Sequence, residues 1–120
     1  MEHIFIELWK FNERWTGADL DTRTRYVQEL MPSVQAIMDA GVEIIAWGYN
    51  DLDVDHRAPY DAFGVYRMPN RALFDEFQQA VSASGWYDYF DHVNAGGTPI
   101  APGAMLGQHI QLVRPATTTA

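Results

Sequence analysis

The hydrophobic pattern changes period several times along the chain. Residues 3 to 11 alternate, with Ile4, Ile6 and Leu8 on one side and Phe5, Glu7, Trp9 and Phe11 on the other. A period of two marks a strand, and because both sides are largely apolar the sheet is expected to be covered on both faces. Asn12 to Asp21 reads as a polar connection. Asp21 or Thr22 then caps a helix that runs to Ala40 and stops at Gly41. Val27, Leu30, Met31, Val34, Ile37 and Met38 recur at helical spacing and form the stripe expected to face the sheet, with a kink at Pro32.

Val42 to Tyr49 alternates again, with Val42, Ile44, Ala46 and Gly48 opposed to Glu43, Ile45, Trp47 and Tyr49. A polar connection from Asn50 to Arg57 leads to a third alternating run, Asp61 to Met68. Asn70 is placed to cap a helix that turns Leu73, Phe74, Phe77, Ala80 and Val81 inward and is closed by Gly85. Trp86 to Val93 reads as a short helical or turn segment. The Gly and Pro clusters at 94–99 and 101–103 read as a loop long enough to cover a site, and His109 to Val113 as the last strand. The order is β-α-β-β-α-β. It predicts an α+β, ferredoxin-like domain over residues 1–113, an antiparallel sheet with helices on one face, followed by a flexible tail at 114–120.

Composition narrows the picture in three ways. The 120 residues suffice for one domain with its own core, and the absence of cysteine removes disulfides, a thiolate nucleophile and thiolate metal sites. A net charge of −8 argues against nucleic acid, whose phosphates call for clustered Lys and Arg. No stretch has the length and apolarity of a membrane span, and the N-terminus lacks a basic leader, so the expectation is a cytoplasmic protein without a membrane partner. The aromatic content of 13% exceeds what packing asks of a small domain, and some of those rings are expected to wall a cavity or a subunit interface.

With this element order, length and set of aromatic strands, residues 3 to 113 resemble the dimeric α/β barrel superfamily, in which two ferredoxin-like sheets pair back to back. The stretch from Trp47-Gly48 through Asp55-His56-Arg57, followed by Ser84-Gly85-Trp86-Tyr87-Asp88-Tyr89-Phe90, resembles an uncharacterised family of short barrel proteins. The superfamily includes cofactor-free monooxygenases, polyketide cyclases, muconolactone isomerases, haem-degrading enzymes, and EthD-like and YciI-like proteins. The resemblance implies a homodimer with a pocket between sheet and helices, worked by His, Tyr, Asn or Trp. The Asn, Trp and His triad of the haem-degrading members does not map here, since the second helix before Gly85 has no His.

Two polar segments carry the candidate chemistry. Asp51, Asp53 and Asp55 precede His56 at alternating positions. The calcium-loop pattern fails, because His56 stands where a Gly is needed and Ala62 where a bidentate Glu belongs. Three readings stay open for this loop: a solvated or Arg57-paired turn, a divalent metal site, or an Asp–His pair for proton transfer. On the last reading His56 is the base, oriented by Asp55 or Asp51, with His92 as second candidate. Tyr49, Tyr89 or Asn94 would hold a developing enolate, with Asn50 nearby, and Trp9, Trp47, Tyr66 and Trp86 would fix a ring plane. For Trp9, Trp47 and Tyr66 a plain core role is the competing reading, for Trp86 and Tyr89 packing on a partner subunit, and His3 and His109 read as surface or interface residues.

The expected function is a small-molecule enzyme that acts on an apolar, aromatic or polyketide-like metabolite by His-assisted proton abstraction. Oxygenation, cyclisation and isomerisation all fit, with no tightly bound cofactor and no metal. The alternative is a non-catalytic, dimeric ligand-binding or stress-associated module using the same pocket.

Overall fold

The computed structural model describes residues 1–115. Strand β1 (His3–Phe11) lies where its alternation placed it. The connection after it holds a single turn, α1 (Glu13–Thr16), because the Asn12 side chain accepts from the Arg14 and Trp15 amides at 3.0 and 3.3 Å. Helix α2 (Leu20–Asp39) starts earlier than expected. Its cap is Asp19, not Asp21 or Thr22; the Asp19 carboxylate accepts from Thr22 N at 2.8 Å, and the Thr22 hydroxyl together with this amide lowers its pKa. The helix runs on through Pro32 to Asp39. Gly41 and Gly85, both at positive φ, follow the ends of α2 and of α3 (Arg71–Ala83), as the sequence predicts.

β1, β2 (Glu43–Tyr49), β3 (Ala62–Met68) and β4 (Phe90–Gly97) form one antiparallel sheet in the order β2-β3-β1-β4. Together with the helices this is the ferredoxin-like α+β fold. Its fourth strand is not the expected one. β4 follows the one-turn helix α4 (Trp86–Tyr89), and Asn94 to Gly97, expected in a covering loop, pair with β1 from Glu7↔Asn94 to Ile4↔Gly97. Residues His109 to Val113 make no strand; α5 (Pro102–Ile110) ends on the first two of them, and Gln111 and Leu112 form a turn. The reason is edge availability. β1 has two edges, β3 takes one and residues 90–97 the other, so no partner remains for a later strand on β1.

A second departure lies in β2, where the pairing shifts between Ile44 and Ala46. The extra residue reverses the alternation, so Ile44, Trp47 and Tyr49 fall on one face, opposite Tyr66, Gly64 and Ala62. Without the bulge, Trp47 would share the face of Ile45 and Tyr49, with Ile44 opposed.

Phe5, Val42, Tyr66, Met68, Leu73 and Phe77 make the core, which joins α3 to the Phe5–Glu7–Trp9 face of the sheet. Helix α2 covers the same face but stands off it: none of its residues is buried, and of the six-residue stripe Val27, Met31 and Met38 stay exposed. The opposite sheet face carries Ile4, Ile6, Leu8, Phe63, Val65, Val93 and Ala95 in register, and Ile6 and Val93 remain 38% and 43% exposed. Among the described residues, no helix is long and apolar enough to cross a membrane.

Candidate functional site

The gap under α2 is a chamber of about 130 Å³. Leu30, Val34 and Ile37 form its roof, Phe77, Ala80 and Val81 of α3 one wall, and Glu7, Trp9, Trp47 and Tyr66 the sheet side, with Trp86 of α4 completing the lining. An outer cleft of about 400 Å³ adjoins it, sharing Trp9, Trp47 and Trp86 and extending past Phe11, Trp15, Tyr26 and Tyr49. For scale, an apolar cavity of roughly 150 Å³ accommodates benzene. The inner chamber therefore suits one ring, and the outer cleft suits whatever is attached to it.

A carboxylate stands at the chamber. Glu7 is 4% exposed, and a buried carboxylate without partners would cost several kcal/mol. It has two. The Tyr66 hydroxyl donates to Oε1, and His92 Nε2 lies 3.2 Å from Oε2. Tyr66 Oη in turn accepts from Trp47 Nε1 at 2.7 Å. Burial, the Glu7 charge and the bond to Glu7 all push the Tyr66 pKa up, so the phenol stays protonated and a donor. Gly64 makes the Trp47–Tyr66 approach feasible: a Cβ there would lie 2.8 Å from Tyr66 Oη and 3.0 Å from the Trp47 ring.

His92 is held behind Glu7. Its side chain is 4% exposed, stacked on Trp9 at 6.1 Å and 8°, with the edge of Tyr87 at 5.2 Å. Nδ1 faces Asn94 Oδ1 at 2.5 Å, so with a carbonyl as acceptor Nδ1 carries a proton. Nε2 approaches Glu7 off the line of a hydrogen bond and has no hydrogen-bond partner among the described residues. The result is a carboxyl group next to an apolar, single-ring chamber, backed by a buried imidazole.

Of the residues singled out from sequence, Trp9, Trp47, Tyr66 and Trp86 line the chamber, and His92 and Asn94 support it from behind. Tyr49 reaches only the outer cleft. Tyr89 packs edge-on to Trp15 and Tyr26, in an aromatic cluster outside the chamber lining. The Asp-rich loop is elsewhere. His56 and Asp55 face each other at 3.7 Å with side chains 91% and 95% exposed, and neither they nor Asp51 line either cavity. Asn50 and Arg57 hold that loop through backbone carbonyls: Asn50 donates to Ala58 and Tyr60, and Arg57 to Asn50, Asp51 and Tyr60. Arg57 thus bonds the Asp51 carbonyl rather than a carboxylate. Among the described residues, no three His, Asp or Glu side chains converge as a metal site requires. Glu7 is the functional residue that the sequence reading does not single out, because one acid in an alternating strand carries no motif. The available signal was its position among Phe5, Trp9 and Phe11, on a side that is otherwise wholly aromatic.

Fold and site together define a ferredoxin-like α+β domain with an internal chamber. Residues 2–112 match a family described as a family of unknown function, DUF6616, and the chain belongs to it. No protein of curated function matches the sequence. Among solved structures, a mutant chlorite dismutase from Candidatus Nitrospira defluvii aligns over 88% of this chain and 43% of its own, at 14% identity and a TM-score of 0.64. The methylated RPA0582 protein aligns over 85% of this chain and 83% of its own, at 16% identity and a TM-score of 0.56. A hypothetical Arabidopsis thaliana protein solved in solution covers 82% and 88%, at 11% identity and a TM-score of 0.51. The chain spans less than half the length of the chlorite dismutase it matches. These likenesses show the fold; the first is to an enzyme.

Proposed function

We propose that the protein is a small-molecule enzyme that moves a proton on an apolar, single-ring substrate, with Glu7 as the acid–base group. The observation that carries this reading is the Glu7 carboxyl at the chamber, held by the Tyr66 hydroxyl on one oxygen, with His92 Nε2 3.2 Å from the other. Glu7, as the carboxylate, takes the proton from an acidic C–H or O–H, the electron pair stays on the substrate as an enolate or phenolate, and Glu7 returns the proton when the product forms; His92, fixed by Asn94, lies at the second carboxylate oxygen. Tyr66, kept protonated, hydrogen-bonds Glu7 and keeps the carboxyl turned toward the chamber. Trp9, Trp47 and Trp86 fix the ring and continue into the outer cleft. The base in this scheme comes from β1 and not from the surface loop of His56. Isomerisation and cyclisation follow directly from such a step; oxygenation without a cofactor begins with it.

The functional unit of this proposal is a homodimer joined through the open sheet face, whose Ile6 and Val93 are left exposed by the single chain. Burying that face stabilises by about 25 cal/mol per Å² of apolar surface.

The test uses a single-ring ketone as probe, with deuterium exchange at its α-carbon followed by NMR. The wild type is expected to accelerate exchange, and Glu7→Gln to lose about 10²-fold or more of that rate with its melting temperature retained. A probe that binds without accelerated exchange would leave the ligand-binding module as the better account.

A further inference from the structure

We infer that the reacting ring carries an uncharged aryl group, and that the outer cleft is the site for this second ring. The inference rests on the chamber reading proposed above and names what is attached to the ring held there.

The cleft is built of rings. Of the eleven residues that line it, eight are aromatic, and the other three are Val27, Gly48 and Ala62. Several of these rings hold one another in place. Trp15 packs edge-on to Tyr26 at 6.0 Å and tilted against Phe90 at 4.9 Å, and Trp86 stacks on Phe90 at 4.0 Å. The Tyr26 hydroxyl donates to the Ser84 carbonyl at 3.1 Å, so what Tyr26 offers the cleft is its ring. Side chains fixed in this way lose little freedom when a ligand seats against them. The remaining rings are open to water: Phe11, Trp47 and Tyr49 are 46%, 55% and 79% exposed. Large rings left in water around a concave surface mark a ligand groove.

Charge and shape decide the ligand. Among the described residues, no Asp, Glu, Lys, Arg or His lines the cleft. A phosphate or carboxylate on the attached group would lose hydration there without gaining a partner, and the net charge of −8 repels an anion further. A cation is drawn to the faces of rings and repelled by their edges. Here neighbouring rings cross steeply, Trp9 on Trp86 at 75° and Trp15 on Tyr26 at 76°, so edges are presented along with faces. That mixture suits another neutral ring, which packs edge to face or offset. Size agrees, since the cleft offers about 400 Å³ and benzene asks for roughly 150 Å³. The two spaces are also continuous. Trp9, Trp47 and Trp86 line both, so the link between the two rings passes among them.

The test is isothermal titration calorimetry of the wild-type chain with cyclohexanone itself and with cyclohexanones bearing, opposite the carbonyl, a phenyl, cyclohexyl, carboxyphenyl or trimethylammonium group. The phenyl compound is expected to bind about 10²-fold more tightly than cyclohexanone and about 3-fold or more better than the cyclohexyl compound of similar size. The carboxyphenyl compound should lose that gain. Tyr49→Ala, at a side chain exposed enough for the variant to fold, should weaken the phenyl compound by about 5-fold, and more than it weakens cyclohexanone. The inference is overturned by no gain from phenyl, by equal binding of the cyclohexyl compound, by a gain that survives the carboxylate, by tightest binding of the trimethylammonium compound, or by an unaltered phenyl affinity in Tyr49→Ala. None of these readouts needs turnover. Tight phenyl binding without exchange at the α-carbon would overturn the proton chemistry and support the cleft assignment, whereas exchange on cyclohexanone with no gain from phenyl would do the reverse.

Discussion

Replacing Tyr66 by Phe removes one oxygen atom and nothing else, which makes it the cleanest probe of the buried network. The ring keeps its packing against Phe5 and Phe77, at centroid distances of 6.2 and 4.8 Å, so no cavity opens. Two bonds disappear, the one to Glu7 and the one from Trp47. Trp47 is 55% exposed and its indole N–H can find water. Glu7 cannot, being 4% exposed, so the cost is dominated by one hydrogen bond to a buried carboxyl, about 1.5–3 kcal/mol. At roughly 4 °C per kcal/mol for a chain of this size the melting temperature should fall by about 8 °C, at fixed protein concentration because a dimer's stability depends on it. Urea unfolding should show a lower midpoint with the slope unchanged. The variant should also alter the alkaline limb of stability. The Tyr66 pKa in the folded chain is raised above its ordinary 10.0 by burial first and then by Glu7. Its contribution is therefore complete below about pH 10 and is lost as pH rises from there through the higher folded value. Tyr66→Phe should unfold less steeply than the wild type above pH 10. A melting temperature within 1 °C of wild type, or an identical alkaline limb, would refute the claim that this hydroxyl holds a buried carboxyl.

Four further outcomes are expected. His56→Ala should leave stability within about 0.5 kcal/mol and exchange activity unchanged, checked by calorimetry and the ketone assay, since its side chain is 91% exposed and outside both cavities. Gly64→Ala should cost about 1–3 kcal/mol and red-shift tryptophan emission, because a Cβ there displaces Trp47 or Tyr66 Oη; unchanged fluorescence would show that the approach tolerates it. Phe77→Ala, at a residue 2% exposed, should lose about 3–5 kcal/mol by urea titration and enlarge the chamber it walls. Light scattering of the wild type should give twice the 13.6 kDa of one chain.

Local pattern determined most of the elements. β1, β2, β3 and α3 lie within a residue of where alternation, Asn70 and Gly85 place them, because strand period and helix capping are short-range properties. Much of the aromatic wall was legible for the same reason: Trp9, Trp47, Tyr66 and Trp86 are large apolar rings on or next to sheet elements. Where pattern failed, the deciding contact was distant. Phe90 to Gly97 is a strand only because β1 offers it an edge; its own residues, Asp91, Asn94, Gly96 and Gly97 among them, have low strand preference. His109 to Val113 alternates well and is no strand, because both edges of β1 are taken by β3 and β4. Trp47 and Ile44 share a face through a bulge that appears only in the pairing of β2 with β3. The proposed site depends wholly on register. Glu7 meets His92 because β1 and β4 align Trp9 with His92 and Glu7 with Asn94, and it meets Tyr66 because β1 and β3 run antiparallel beside each other. Hydrophobic pattern records which residues leave water, and a carboxylate leaves it only when partners from other strands satisfy its charge, which is a property of the tertiary structure alone.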